Sequence, residues 1–125
     1  MEFILTSSNE LSTHEKRVLS GLCINKAFGA WVWKKDVLIS MCKIDDGSII
    51  GWAAIIKQEK YNKEEKQIAV YVKLKYRGIG IGKKLVSMVM DKIKNEKISC
   101  APREEYPQGF SIFNKYKNIK ICEYM

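Results

Sequence analysis

Val70-Tyr71-Val72-Lys73-Leu74-Lys75-Tyr76-Arg77-Gly78-Ile79-Gly80-Ile81-Gly82-Lys83-Lys84-Leu85 passes from alternating apolar residues, through a glycine-spaced turn, into a helical repeat. Ile68, Val70, Val72 and Leu74 fall on one face of an extended chain, so Ile68–Leu74 reads as a strand. Beyond the turn, Gly82, Leu85, Val86, Val89 and Ile93 form one apolar stripe, with Lys83, Lys84, Asp91, Lys92 and Lys94 largely off it. The three alternate glycines let the backbone turn sharply and approach a ligand without Cβ obstruction. A helix that starts there leaves its first amide N–H groups unpaired and aimed at the turn. Those donors and the helix dipole suit a phosphate or pyrophosphate, and Arg77, Lys83 and Lys84 add positive charge around it. Residue chemistry alone therefore spells a phosphate cradle.

Working outward, Ile49–Ile56 and Val37–Ile44 are apolar and β-branched on either side of Asp45-Asp46-Gly47-Ser48, a hairpin signal. The polar stretch Gln58–Lys66 reads as the next turn or loop. Phe3–Ser7 is a short apolar opening suited to an edge strand. Ser12 and Glu15 are spaced as a capping box, and Val18, Leu19, Leu22 and Cys23 follow at helical spacing. A first helix over about 13–27 is expected, with Gly29 as its stop. Toward the other end, Lys97–Ala101 reads as a short strand, Pro102–Pro107 as a loop, Gln108–Lys117 as a last helix and Ile119–Tyr124 as a final strand. The order is strand, helix, three strands, helix, strand, helix, strand: a single mixed α/β layer structure over residues 1–125.

Composition sets bounds on partners. The chain has 125 residues, 46% apolar and 29% charged, enough for one domain with a core and too little for two. No apolar run approaches the length of a membrane span, and no basic segment followed by an apolar stretch marks a secretory signal, so the expected location is cytoplasmic. Cys23, Cys42, Cys100 and Cys122 are scattered, none in a CxxC pair, and His14 is the sole histidine. A metal site is not expected, and reduced buried thiols are. A formal charge of +8 favours anionic partners. Acidic residues such as Glu59, Glu64 and Glu65 are interspersed and no base-reading motif is visible, so nucleic acid ranks last among them.

Spacing separates three nucleotide-type cradles. A Walker A loop ending at Gly82-Lys83 would need glycine at position 77, which is Arg77, and Ser or Thr at position 84, which is Lys84. A dinucleotide fingerprint would need glycine where Lys83 or Leu85 stands, and an N-terminal βαβ unit. Arg77-Gly78-Ile79-Gly80-Ile81-Gly82 instead resembles Arg/Gln-x-x-Gly-x-Gly/Ala, the pyrophosphate-binding motif of the GNAT superfamily of N-acetyltransferases. The resemblance extends over Val72-x-x-x-Tyr76-Arg77-Gly78-x-Gly80-x-Gly82-x-x-Leu85, similar to that family's strand-four to helix-three junction. Asp46–Gly51 is similar to its strand-two to strand-three hairpin.

The resemblance implies a GNAT-like fold, a central and mostly antiparallel sheet flanked by helices, and an acetyl-CoA-dependent transfer to a primary amine by direct attack. It implies a pantetheine arm along Tyr71, Val72, Lys73 and Leu74, whose strand splays from its neighbour, with the Val72 amide polarising the thioester carbonyl. It also implies a pyrophosphate held by Arg77, Gly78, Ile79, Gly80, Ile81, Gly82, Lys83 and Lys84. Direct attack needs no nucleophilic side chain, and no Ser-His-Asp or Cys-His arrangement stands out. A base is often found just before strand four, where Glu64 and Glu65 lie. The acid is commonly a tyrosine in a Phe-Tyr-x-Lys-x-Gly-Phe-like motif; alignment through Lys115 puts Phe113 at that position, leaving Tyr116, about one helical turn on, as the nearest hydroxyl. Trp31 and Trp33 fall where an acceptor pocket has a wall, as cation-flanking aromatics or as core packing. The fold commonly pairs into homodimers through its last strands. The missing tyrosine and unmarked base keep open a second function, a module that holds CoA without turnover; a basic nucleic-acid-binding domain is the third.

Overall fold

The computed structural model describes residues 1–22, 31–60, 63–93, 96–100, 112–113 and 116–121. Among the described residues six strands form one sheet in the order of the sequence: β1 (Glu2–Ser7), β2 (Leu38–Lys43), β3 (Ile49–Lys60), β4 (Lys63–Val72), β5 (Ile98–Cys100) and β6 (Ile119–Ile121). The first four are antiparallel neighbours, and β5 and β6 join in parallel. Helix α1 (Thr13–Gly21) serves one face and α2 (Ile81–Ile93) the other. Ile112 and Phe113 are helical and buried. Helix α1 ends at Gly21 with Leu22 as its C-cap, short of the expected residue 27; the expected stop at Gly29, the loop at 102–107, most of the helix at 108–117 and the strand beyond 121 lie outside the described residues.

Strand alternation divides the core in two. Val72, Ala53 and Ile55 point to the α2 side and meet Ile81, Leu85, Val86, Val89 and Met90. Trp52, Ala54 and Ile56 point to the α1 side with Leu19, Trp31, Val32, Ile39 and Met41. Each α2 side chain removed from water contributes about 1.5–3 kcal/mol, so packing rather than helix propensity holds α2 in place. A hydrogen bond fixes its height: buried Ser40 Oγ donates to the Leu85 carbonyl at 2.7 Å. Gly51 sets how closely the helix approaches. A Cβ there would stand 3.1 Å from the Tyr71 carbonyl oxygen, 3.2 Å from Leu85 Cδ1 and 3.3 Å from Val72 Cγ2. Gly51→Ala is expected to cost about 1–3 kcal/mol, measured by denaturant melts, because the carbonyl cannot rotate aside.

The β2–β3 turn is as the sequence implies: Gly47 takes a positive φ of 86°, and Asp46 accepts from the Ser48 amide at 2.8 Å. The next hairpin is not. Gln58–Lys66, expected as a turn or loop, is mostly strand: β3 runs to Lys60, β4 begins at Lys63, and the register continues through Lys57↔Lys66, Gln58↔Glu65 and Glu59↔Glu64. Charged residues at successive positions hide the two-residue alternation, while cross-strand hydrogen bonding continues regardless of side-chain type.

At the start of α1, the Ser12 hydroxyl accepts from the Glu15 amide and the Glu15 carboxylate accepts from the Ser12 amide, the expected capping box. Glu15 also pairs with Lys43 of β2 at 3.2 Å. The Ser12 backbone N–H foremost, then Lys43, holds the Glu15 carboxyl below its usual range against the opposing effect of burial. The folded pKa lies below the unfolded one, so this stabilisation is complete above the ordinary glutamate value of about 4.3 and is lost as pH falls through the folded value. Melts of Glu15→Gln and the parent chain should therefore differ at pH 7 and converge in acid.

Candidate active site

Strand β4 ends in an irregular crossing to α2. Lys73 leaves the strand, residues Leu74–Tyr76 make one 3-10 turn, and Gly78 and Gly80 follow with φ of 85° and 89°. A side chain is strained at such angles, which explains glycine at both positions. An added Cβ would meet nothing within 4 Å at either residue, so this face of the turn is open. The Lys84 amide makes the first helical bond, to the Gly80 carbonyl at 3.1 Å. Gly80 is thus the N-cap and has no side chain to accept from Ile81, Gly82 or Lys83. Buried Ile81 anchors the helix start, while Ile79 is 64% exposed and Lys83 is exposed.

The edge of β4 is equally specific. The Lys73 amide donates to the Ile50 carbonyl at 2.9 Å, which makes Gly51↔Val72 a non-hydrogen-bonded pair. Tyr71 and Lys73 therefore direct their amides at β3, whereas Val72 turns its N–H and C=O to the side of β5. Among the described residues β5 meets β4 only at Gln67↔Ser99, five residues earlier. The expected run of amides over Tyr71–Leu74 is thereby corrected: of Tyr71, Val72 and Lys73, only Val72 faces away from β3. Leu74, expected on the buried face of the strand, is 77% exposed on the 3-10 turn.

Arg77 joins the two halves of the site. Its Nε donates to the Val72 carbonyl at 2.7 Å and its guanidinium lies 5.5 Å from the centre of the Tyr71 ring. Lys84 is drawn away: its amide belongs to the helix and its ammonium sits 4.2 Å from the Phe3 ring centroid. The arrangement is a set of uncapped helix donors, an open glycine turn, an arginine between turn and strand, and one outward amide beyond it. It fits a pyrophosphate with an extended arm. Among the described residues no group of three or more His, Cys, Asp or Glu is placed to share a metal, and no helix is long and apolar enough to cross a membrane.

The model of the acetyltransferase (GNAT) family matches residues 7–105, most of the chain and the whole of this site. The chain belongs to the GNAT acetyltransferase family. No sequence match is found among curated proteins. The GNAT fold is seen again in solved structures. A ribosomal-protein-alanine N-acetyltransferase from Brucella melitensis biovar Abortus 2308 is 13% identical with a TM-score of 0.62, over 100% of this chain and 96% of that one. An aminoglycoside acetyltransferase from an uncultured soil metagenomic sample is 13% identical with a TM-score of 0.57, over 93% and 86%. A GNAT family acetyltransferase from Staphylococcus aureus is 18% identical with a TM-score of 0.54, over 84% and 90%. At these identities the likeness is one of fold.

The GNAT site brings together some of the remaining candidates and separates others. Tyr116 packs against the core cluster that contains Val72. Burial, with Asp91 adding to it, pushes its phenol up, so it holds its proton at neutral pH. Phe113, which the resemblance sets at the expected tyrosine position, is buried in the same cluster. Glu65 is a correction. The extended hairpin sets it, exposed, seven residues up β4 from Val72, roughly 23 Å at about 3.3 Å per residue. A carboxylate at that distance cannot take a proton from an amine beside Val72. Trp33 is 50% exposed with the Lys16 ammonium 5.7 Å from its ring centre, while Trp31 is 4% exposed and meets Trp52 at a tilt of 42°. The reading from sequence missed the tie from Arg77 to Val72 and Tyr71; an arginine five residues after an outward strand carbonyl was its one available signal. Of the cysteines, Cys42 is free and buried, and burial pushes its thiol up.

Proposed function

We propose that the chain binds acetyl-CoA between the glycine turn and the open edge of β4 and transfers the acetyl group to a primary amine by direct attack. The observation that carries this reading is the outward Val72 amide beyond an uncapped helix start, with Arg77 bonded to the same residue. Acetyl-CoA supplies the activated thioester and its thiolate leaving group. The Ile81, Gly82 and Lys83 amides and Arg77 hold the diphosphate, and the Val72 N–H meets negative charge as it develops on the carbonyl oxygen. In the transfer a C–N bond forms as the C–S bond breaks. The amine nitrogen loses one proton, and the thiolate gains one. Tyr116, protonated at neutral pH, is the proposed donor of that second proton. The first passes to water, since Glu65 is out of reach.

Two measurements test the reading. Calorimetric titration and thermal shift with CoA should show binding and a higher melting temperature, since a ligand of the folded state alone stabilises it. Free-thiol release from acetyl-CoA should then appear with at least one member of a broad amine panel. No CoA binding would end the proposal. CoA binding without release on any amine would favour the second reading, a CoA-holding module, which the absence of a base near Val72 among the described residues supports.

A further inference from the structure

The segment that leads into β2 is held harder than a connecting loop requires. Asp36 is the one residue other than glycine with a positive φ, 60°, among the described residues. Such backbone costs free energy and persists only where its surroundings fix it. Here they do. Asn9 Nδ2 donates to Asp36 Oδ1 at 2.5 Å, and the Asp36 amide donates to Asn9 Oδ1 at 3.1 Å. The Ser8 amide donates to the Val37 carbonyl at 2.9 Å, and the Ser8 hydroxyl bonds both Lys34 and Val37. Trp31 and Val32 bury themselves in the core cluster on the α1 face.

What this clasp presents is Trp33, half exposed, with Lys34 and Lys35 exposed beside it. From α1 the Lys16 ammonium reaches to 5.7 Å from the Trp33 ring centre. The carboxylates adjacent in sequence are already engaged: Asp36 by Asn9, Glu10 by the Thr6 hydroxyl at 3.1 Å, and Glu15 by Lys43. Among the described residues no carboxylate pairs with Lys16, Lys34 or Lys35. Cations that are interspersed with acids along the sequence are thus gathered around one aromatic ring. The glycine turn opens α2 on the opposite face of the sheet, so a bound diphosphate makes no use of them.

We propose that this patch binds single-stranded nucleic acid, one base stacking on Trp33 while Lys16, Lys34 and Lys35 meet the flanking phosphates. The inference goes beyond the acetyl-transfer reading and does not depend on it. A flat, fixed indole is matched by a base, which any single strand offers and a duplex keeps stacked inside. An acidic peptide supplies charge without a flat partner. A bilayer holds a protein through several apolar side chains, and Trp33 is the single exposed large one of residues 31–36.

The test is fluorescence and calorimetric titration of the full chain with short oligothymidine and oligouridine strands over a range of salt. Because Trp33 is the exposed indole, stacking should quench the red edge of the tryptophan emission. Trp33→Ala should weaken binding about 5- to 150-fold with the salt slope unchanged, and Trp33→Phe should recover most of it. Lys34→Ala and Lys35→Ala should each flatten the slope of log affinity against log salt by about 0.7. Asn9→Ala should weaken binding without moving that slope, since it releases Asp36; the Trp33 variants decide alone should that chain not fold. Saturating CoA should leave the affinity as it was. The stronger binder of the two strands tells RNA from DNA. Absence of binding at low salt would end the proposal, as would unchanged affinity in Trp33→Ala. An equal response to duplex DNA, heparin, polyglutamate or phosphatidylglycerol vesicles would overturn it too, leaving a site for charge or lipid without bases. Displacement of the strand by CoA would move the polyanion to the phosphate cradle and overturn the assignment to Trp33.

Discussion

Gly80→Asp is expected to weaken CoA binding by about 100-fold or more while leaving the chain folded. Gly80 is the N-cap of α2 and takes a φ of 89°. Aspartate is among the side chains that best tolerate the left-handed region, and it is a good N-cap. The fold therefore carries the strain of one side chain at that angle, in open space, and the carboxylate lies beside the very amides intended for the ligand. At an effective dielectric near 20, a carboxylate about 5 Å from each phosphate charge opposes it by about 3 kcal/mol per charge. Gly80→Asn separates charge from shape: it fills the same space, caps the same amides and should lose distinctly less affinity. Calorimetry on both variants with melts alongside decides the matter, and unchanged CoA affinity in Gly80→Asp would remove the cradle from this turn.

Arg77→Ala should strike binding and turnover together. The side chain supplies a cation at the turn, a hydrogen bond to the Val72 carbonyl and a planar cover on Tyr71. Losing a hydrogen bond from a charged donor costs about 1.5–3 kcal/mol, about 10- to 150-fold. Arg77→Lys is the informative partner. Lysine keeps the charge but lacks the flat guanidinium whose Nε reaches Val72 while its face lies on a ring. It should recover much of the CoA affinity and little of kcat, because the strand edge that orients the Val72 amide is left unbraced. If lysine restores both equally, Arg77 acts through charge alone.

The junction itself was legible because its parts are local. Glycines at 78 and 80 answer to backbone angles, and the stripe from Ile81 to Ile93 answers to helical spacing, each readable within a few residues. The Asp45–Ser48 turn was legible for the same reason. What escaped depends on residues distant in sequence. The end of β4 at Val72 is set by Ile50, whose carbonyl captures the Lys73 amide. The strand character of 57–60 and 63–66 is set by register, and their successive charged residues hide it. Glu65 looked close to the site only because a loop was expected there; straightened into a strand, the same residues become a spacer. Trp31 and Trp33 sit two positions apart in a single 3-10 turn, one buried and one half exposed, a distinction that spacing over three residues does not carry. That turn is held from outside: Ser8 Oγ donates to the Lys34 carbonyl at 2.6 Å and accepts from the Val37 amide at 3.0 Å.

Among the described residues β4 and β5 share a single register pair, and that join has a mechanical side. On either side of Gln67↔Ser99 stand a four-stranded antiparallel block and a parallel pair, and side chains cross the join: Lys66 pairs with Glu96 at 2.9 Å, Ser99 Oγ donates to the Lys66 carbonyl at 3.4 Å, and Ile68 and Ile98 share one core cluster. Side-chain contacts of this kind resist separation but impose less direction than a full ladder of backbone hydrogen bonds. The seam can thus yield sideways as a wedge is driven in, without unravelling the block that carries Val72. Deuterium uptake should reveal this as earlier labelling of Ile98–Cys100 and Ile119–Ile121 than of the central β2 and β3 amides.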